Sequence, residues 1–225
     1  MKITVLHGQQ HKRNTYKVTQ LLLQELATEN DEVKEFYVND IPPCAGCFTC
    51  TMKDEHKCPH RSITEPIIKA IEETDVLIAE SPNYCMGMTG QLKILFDHLA
   101  YRWMIHRPHP SLLNKTGIAI STAAGGGSKK VTKAISGQMF WLGFAKTYQI
   151  HVDIWANGFD EMKQSKRNSL DSTIRKTAAK IKRTAGKTKP GLKSKLLFFI
   201  IAKTRNQSST LPIDAAYWKE NGWVK

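Results

Sequence analysis

The sequence has no apolar run long enough to cross a bilayer. Its longest, Leu196 to Ala202, is seven residues, and a spanning helix needs about twenty. No charged-then-apolar leader is visible. Met1-Lys2-Ile3-Thr4-Val5-Leu6 runs straight into a polar segment, so the chain is expected to be cytoplasmic. Five cysteines in 225 residues are too few and too bunched for a secreted disulfide framework. No Gly-x-Ser-x-Gly is present, which excludes a nucleophile elbow. The turn after the first apolar segment holds one glycine, Gly8, which excludes the Gly-x-Gly-x-x-Gly dinucleotide turn. There is no internal repeat, low-complexity tract, zinc finger or RNA-recognition signature.

The last third lacks acid. Residues 161–225 carry 16 Lys+Arg against 4 Asp+Glu, whereas residues 1–160 carry 17 against 16. An asymmetry of this kind concerns partners, not fold. A solvated helix face is the plain reading. An acidic redox protein, an anionic membrane surface and, ranked last, nucleic acid are the functional ones.

What is present is an alternation of two periods. Lys2 to Leu6, Glu32 to Val38, Asp75 to Glu80, Thr116 to Ser121 and Tyr148 to Trp155 read as strands. Thr15 to Ala27, a helix opened by the capping box Ser62-Ile63-Thr64-Glu65 and running to Glu72, Gly90 to Met104, Lys129 to Trp141 and Asp160 to Ala185 read as helices. Strand–helix alternation predicts a parallel sheet covered on both faces. With the dinucleotide turn excluded, the flavodoxin-like three-layer sandwich, strand order 2-1-3-4-5, is the expected α/β fold. It spans 1–186, with a long loop at 39–61. A basic, helical and aromatic extension covers 187–225.

In such a sheet, ligands sit beyond the carboxyl ends of the strands. Three loops there carry suitable chemistry. The first, Gly8-Gln9-Gln10-His11-Lys12-Arg13-Asn14-Thr15, opens a helix whose free N–H groups suit a phosphate. In the second, Ser81 to Lys93, glycines let a flat ring approach the backbone, the plain reading being a loop whose Tyr84 packs. The third, Ser121 to Ser128, leaves room for a ligand or for loop motion, the plain reading being a flexible connection. A phosphate end and a flat aromatic end together suggest FMN. The candidate cofactor residues are Gly8, Gln9, His11, Arg13, Asn14 and Thr15; Pro82, Asn83, Tyr84, Cys85, Met86 and Gly87; and Thr122, Ala123, Ala124, Gly125 and Gly126.

The spacing Pro82, Tyr84, Gly90, Leu92, Lys93 and Asp97 resembles the second-loop motif of the NAD(P)H-dependent FMN reductases and the iron–sulfur flavoproteins. The resemblance covers roughly residues 1–160. It implies that the first loop holds the FMN phosphate through Gly8, Asn14 and Thr15. It also implies that the second lines the isoalloxazine and the third closes its other side. Two positions depart from the family pattern. Gln9 stands where the family has Ser, and His11, beside Lys12 and Arg13, stands where it has Arg. The backbone donors are unaffected by either change.

Four of the five cysteines, Cys44, Cys47, Cys50 and Cys58, form a C-x₂-C-x₂-C-x₇-C run. Three thiolates two residues apart and a fourth nearby suit a [4Fe–4S] cluster. The run is similar to the compact motif of the iron–sulfur flavoproteins, where the cluster passes single electrons to FMN. Zinc, completed by His56 or His60, is a competing reading, and free thiols are the plain one. Cys85 reads as a packing residue or flavin neighbour.

No general acid or base is expected, because the flavin carries the chemistry. His98, His106 and His109 read as structural or surface residues, and Trp103 and Trp141 as core. Trp218 and Trp223 read as anchors for a neighbouring subunit in a homodimer or homotetramer, as the resemblance implies. Leu192 to Ala202 is expected in the same contact, a membrane-surface helix being the rival. The expected activity is transfer of electrons from NAD(P)H, or from a reduced carrier, to a small acceptor such as a quinone, flavin or metal ion. A non-enzymatic electron carrier and a redox sensor with a partner-binding tail are the alternatives.

Overall fold

A computed structural model describes residues 1–156, 158–205 and 211–224. Residues 206–210 and Lys225 of the expected C-terminal extension lie outside the described residues. Five parallel strands, β1 (Lys2–His7), β2 (Glu32–Tyr37), β3 (Val76–Glu80), β4 (Thr116–Ala123) and β5 (Lys146–Asp153), form one sheet in the order β2-β1-β3-β4-β5. This is the flavodoxin-like order that the alternation predicts.

Side chains alternate across a strand, and each face has its own core. Ile3, Val5, Val76, Ile78, Ile118 and Ile120 point to one side. There they pack under α1 (Asn14–Leu26) and α6 (Gln164–Thr184) through Val18, Leu22, Leu26, Ile174 and Ile181. Leu6, Leu77, Ala79 and Ala119 point to the other. They meet α3 (Arg61–Glu73), α4 (Gly90–His98) and α5 (Ser128–Trp141), the short α2 (Thr49–Met52) lying in the 39–61 segment. Each fully buried Leu or Ile contributes about 1.5–3 kcal/mol. Every residue of β3 and β4 is buried, which explains their nearly continuous apolar sequence. The edge strand β2 is largely exposed along its length, whereas β5 mixes exposed and half-buried positions with the buried Ile150 and Val152.

A third cluster lies outside the sheet. Helices α7 (Leu192–Thr204) and α8 (Pro212–Glu220) fold back on the body, where Ile201 and Trp218 bury against Met104. The Trp218 indole N–H donates to the His106 carbonyl at 2.5 Å, and the Tyr217 hydroxyl to that of Pro108 at 2.9 Å. Phe198 stacks on Trp218, with Trp223 edge-on to both. The tail aromatics read as anchors for a neighbouring subunit therefore dock within their own chain.

Three local expectations shift. The capping box at Ser62 does not form. Helix α3 starts at Arg61 with His60 at its N-cap and no side-chain cap, because Glu65 is held by Arg61 one turn earlier, at 2.7 Å. Thr89, by contrast, does cap α4, accepting from the Leu92 N–H. Helix α4 ends at His98, not Met104. His98 bonds the Pro42 carbonyl at 2.8 Å, and Arg102 turns inward to Glu72 at 2.8 Å. Strand β5 runs two residues earlier than expected. Its pairing with β4 carries both strands through Ala123 and Asp153, and ends before Trp155.

Candidate functional site: a cleft at the strand ends and a cysteine segment beside it

The carboxyl ends of β1, β3 and β4 open on a cleft of about 260 Å³. Each of the three predicted loops contributes to its lining: Gln9, His11, Arg13, Asn14 and Thr15 from the first, Pro82, Asn83 and Tyr84 from the second, Thr122, Ala123 and Ala124 from the third. The loops are tied to one another by side chains. Gln9 Nε2 donates to the Tyr84 hydroxyl at 3.0 Å, the Thr15 and Thr122 hydroxyls meet at 2.7 Å, and Asn83 Nδ2 donates to the Gly126 carbonyl at 2.8 Å. Gly8, Cys85, Met86, Gly87, Gly125 and Gly126 do not line the cleft and stand behind or beside it.

Local geometry explains why the sequence is small and polar here. The Gly8 N–H donates to the Glu80 carbonyl at 2.9 Å. A Cβ on Gly8 would come within 2.8 Å of both that carbonyl oxygen and the Thr89 hydroxyl, so strand β1 can leave the sheet there only as glycine. Gly127, at φ +102, precedes α5, and a Cβ there would meet the Asn83 amide at 2.6 Å. Tyr84 and Gly87 bridge a tight turn whose centre, Cys85 and Met86, is left-handed at φ 49 and 62. Such a conformation is uncommon for these residue types and clusters at ligand sites.

The cleft keeps unspent hydrogen-bonding capacity. The N-cap of α1, Arg13, makes no side-chain cap bond, so the first-turn N–H groups beside Asn14 and Thr15 have no side-chain partner. Glu80 Oε2 and Asn83 Oδ1, on two residues that line the cleft, are buried without a hydrogen-bond partner. Buried polar atoms are nearly always satisfied, and two orphans at one strand edge fit a ligand rich in donors and acceptors. A helix start with free donors, His11 and Arg13 beside it, and a flat aromatic wall at Tyr84 together fit FMN.

Beneath the cleft lies a row of titratable groups that the sequence reading missed. His7 is fully buried. Its Nδ1 bonds Glu80 Oε1 at 3.0 Å and its Nε2 bonds Glu35 Oε2 at 2.7 Å, while its ring stacks on Tyr37 and tilts against Tyr16. Burial pushes the His7 pKa down, but the hydrogen bonds and charges of Glu80 and Glu35 outweigh it, so the imidazole is held above its ordinary range. Burial pushes Glu80 up, against the pull of His7. The available signal was an ionisable residue ending each of two otherwise apolar strands. Trp155 was also missed. It is exposed, left-handed at φ 55, bonded through its N–H to the Ala124 carbonyl at 2.7 Å, and stands beside Gly125.

The cysteine segment lies at the same end of the sheet. Cys44 and Cys47 are exposed, Cys50 and Cys58 half-buried, and all four are free thiols. Burial raises the Cys50 pKa, a hydrogen bond with Thr51 lowers it, and the charges of Cys58, Cys44 and Cys47 raise it further. Hydrogen bonding from Thr49 lowers the Cys47 thiol. Among the described residues, no three His, Cys, Asp or Glu side chains are gathered to hold a metal ion. His98 is committed to Pro42 and packs edge-on to His60. The segment is gripped from behind by Arg107, which is buried. Its guanidinium donates to the carbonyls of Cys50 and Thr51, to Glu55 at 3.2 Å and to Asp214 of α8 at 2.5 Å. His106 also donates to Asp214, at 2.8 Å. This anchor was invisible in sequence because the partners of Arg107 lie 52 to 107 residues away along the chain.

The fold is shared with known proteins. An iron–sulfur flavoprotein of Archaeoglobus fulgidus is 25% identical over 216 residues, 94% of each chain. One from Methanocaldococcus jannaschii is 31% identical over 140 residues, 60% of this chain and 69% of its own. The crystal structure of an FMN-dependent NADH-azoreductase from Bacillus anthracis in complex with FMN superposes with a TM-score of 0.61 at 10% identity. It covers 80% of this chain and 99% of the azoreductase. Residues 1–152 match the family of NADPH-dependent FMN reductases. The chain belongs to that family, and with it to the NAD(P)H-dependent flavin oxidoreductases.

Proposed function

We propose that this chain binds FMN in the strand-end cleft and passes electrons from NAD(P)H, or from a reduced carrier, to a small acceptor such as a quinone, flavin or metal ion. The carrying observation is the set of bonds by which the three loops meet around one cleft while two buried polar atoms of its lining, Glu80 Oε2 and Asn83 Oδ1, stay unpartnered. The first-turn N–H groups of α1, with Thr15 and Arg13, hold the phosphate at the helix start. Pro82, Asn83 and Tyr84 face one side of the ring system, and Thr122 to Ala124 the other. Bound there, FMN supplies hydride and electron transfer. The chain's own residues bind, orient and exclude water, and none is required as a general acid or base.

Cys44, Cys47, Cys50 and Cys58 are the residues that would hold a [4Fe–4S] cluster. Four thiols in one short segment are the donor set for iron, and two exposed thiols beside left-handed Gly46 and Phe48 leave the segment free to close on it. The naming of the archaeal relatives as iron–sulfur flavoproteins favours the cluster over zinc. Anaerobic purification followed by a visible spectrum and by FMN, iron and zinc analysis tests both assignments. Stoichiometric FMN with about four irons per chain is the expected result. A colourless chain that takes up no added FMN would refute the cleft reading, and bound zinc the cluster. NAD(P)H oxidation with a quinone as acceptor then tests turnover.

A further inference from the structure

Helix α7 is apolar on both sides, and only one side is used. Its inner face, Leu197, Phe198, Ile201 and Ala202, packs on Trp218, Met104, Phe140 and Trp141. At 3.6 residues per turn, Leu192, Leu196, Phe199 and Ile200 fall together on the opposite face. They are 87%, 61%, 56% and 49% exposed, and solvated apolar stripes of this kind mark interaction surfaces.

The charges around the stripe are of one sign. Lys193 lies along one edge and Lys195 along the other, and Lys203 closes the far end with its ammonium 5.0 Å from the Phe199 ring centroid. Lys187 and Lys189 lead into the helix and are exposed. None of these five lysines forms an ion pair among the described residues. From residue 172 to 213 the sequence has 11 Lys and Arg and no Asp or Glu.

We propose that the outer face of α7 lies on an anionic lipid bilayer. The apolar stripe would enter the acyl boundary, and the lysines at its edges would reach up to the headgroups. No helix of the described residues is long and apolar enough to span, so the contact is peripheral. A second copy of the chain is the poorer occupant. In a two-fold contact the same patch meets itself, which sets Lys193, Lys195 and Lys203 of one copy against those of the other without acid to offset them. The tail aromatics that would anchor a neighbour are spent within the chain. This proposal is independent of what the cleft binds.

The test is flotation of the full chain with vesicles of phosphatidylglycerol and phosphatidylcholine, and with phosphatidylcholine alone. The expected result is binding to the mixed vesicles only, weakened by high salt. Leu196→Glu with Phe199→Glu should lower the partition coefficient at least about tenfold while circular dichroism and thermal unfolding stay unchanged. Lys193→Glu with Lys195→Glu should do so by charge alone. Sedimentation velocity is run in parallel. A dimer that Leu196→Glu dissociates, without vesicle binding, would assign the face to a second copy and overturn the proposal. Failure of wild type to bind anionic vesicles, or undiminished binding by the apolar double variant, would overturn it too.

Discussion

At the strand ends, side chains already reach one another across the cleft: Gln9 to Tyr84, Thr15 to Thr122, Asn83 to Gly126. In the cysteine segment the strong bonds run backward instead, from Arg107 to the carbonyls of Cys50 and Thr51, and among the described residues no hydrogen bond joins one cysteine to another. The cleft rests on three strand ends fixed by sheet register, so its loops have little freedom left to lose on binding. The segment is held from behind, by Arg107 at Cys50, Thr51 and Glu55 and by His98 at Pro42, and its thiols must be gathered by whatever they bind. A flat organic ring is served by the first arrangement. A group that makes four covalent bonds to sulfur supplies enough energy to impose the second.

The largest effect that separates the two regions should come from the anchor. Arg107→Met leaves the buried Asp214 carboxylate with the half-buried His106 and, at 3.6 Å, Arg205. Breaking a buried pair from one side costs about 3–5 kcal/mol, read as a lowered midpoint in urea unfolding. Proteolysis should then start in the 39–61 segment, with FMN affinity in the residual folded fraction unchanged. If FMN affinity falls in parallel, the cleft and the segment form one cooperative unit and the contrast fails.

Gly8→Ala tests the rigid side. The new methyl meets a backbone carbonyl and the Thr89 hydroxyl at 2.8 Å, and overpacking of this kind costs about 1–3 kcal/mol. Because β1 must shift where the first loop begins, the expected outcome is loss of FMN binding by fluorescence titration, with iron content unaltered. Full FMN affinity in this variant would show that the cleft is more plastic than its bonds imply.

A smaller effect follows from the row under the cleft. His7 and Glu80 both have pKa values raised in the fold, from ordinary values of 6.5 and 4.5, so the native chain holds more protons than the unfolded one. The His7 contribution is complete below pH 6.5 and is lost as pH rises through its raised folded value. The Glu80 shift acts in the same direction from 4.5 upward. Unfolding free energy should therefore decline from pH 6.5 toward alkaline pH, and His7→Gln should flatten that decline. A stability that rises with pH in this window would mean that the row is held differently.

These features were unequally legible in the sequence. The strand order and both faces of the core could be read because Val76 to Ala79 and Ile118 to Ile120 are buried on both sides and so are apolar throughout. The three loops were visible because glycine, proline and helix-opening residues have local causes. His7 and Glu80 were not, because one ionisable residue at the end of an apolar strand does not reveal that its side chain pairs with a neighbouring strand. Strand β5 was displaced because an edge strand with only Ile150 and Val152 buried carries a weak pattern. Arg107 with Asp214 and the docking of Trp218 depend on contacts across the whole chain, and no local window holds them. The cysteine run was the plainest motif of all, yet its geometry is the least determined, since spacing records which ligands are present and not what draws them together.

The smallest effect on the fold, and the sharpest on the contrast, belongs to Cys47. Its thiol is exposed and bonded only locally, to Thr49, so Cys47→Ser should leave the thermal midpoint of the iron-free chain where it is. If four thiolates gather one cluster, the same change should abolish the iron content and the brown chromophore of anaerobically purified protein while FMN still binds. A thiol that contributes nothing to the empty segment and everything to the loaded one is what organisation by the ligand means. Were Cys47→Ser instead to lower the midpoint of the iron-free chain, the segment would be preassembled after all, and the difference between the two sites would be one of degree.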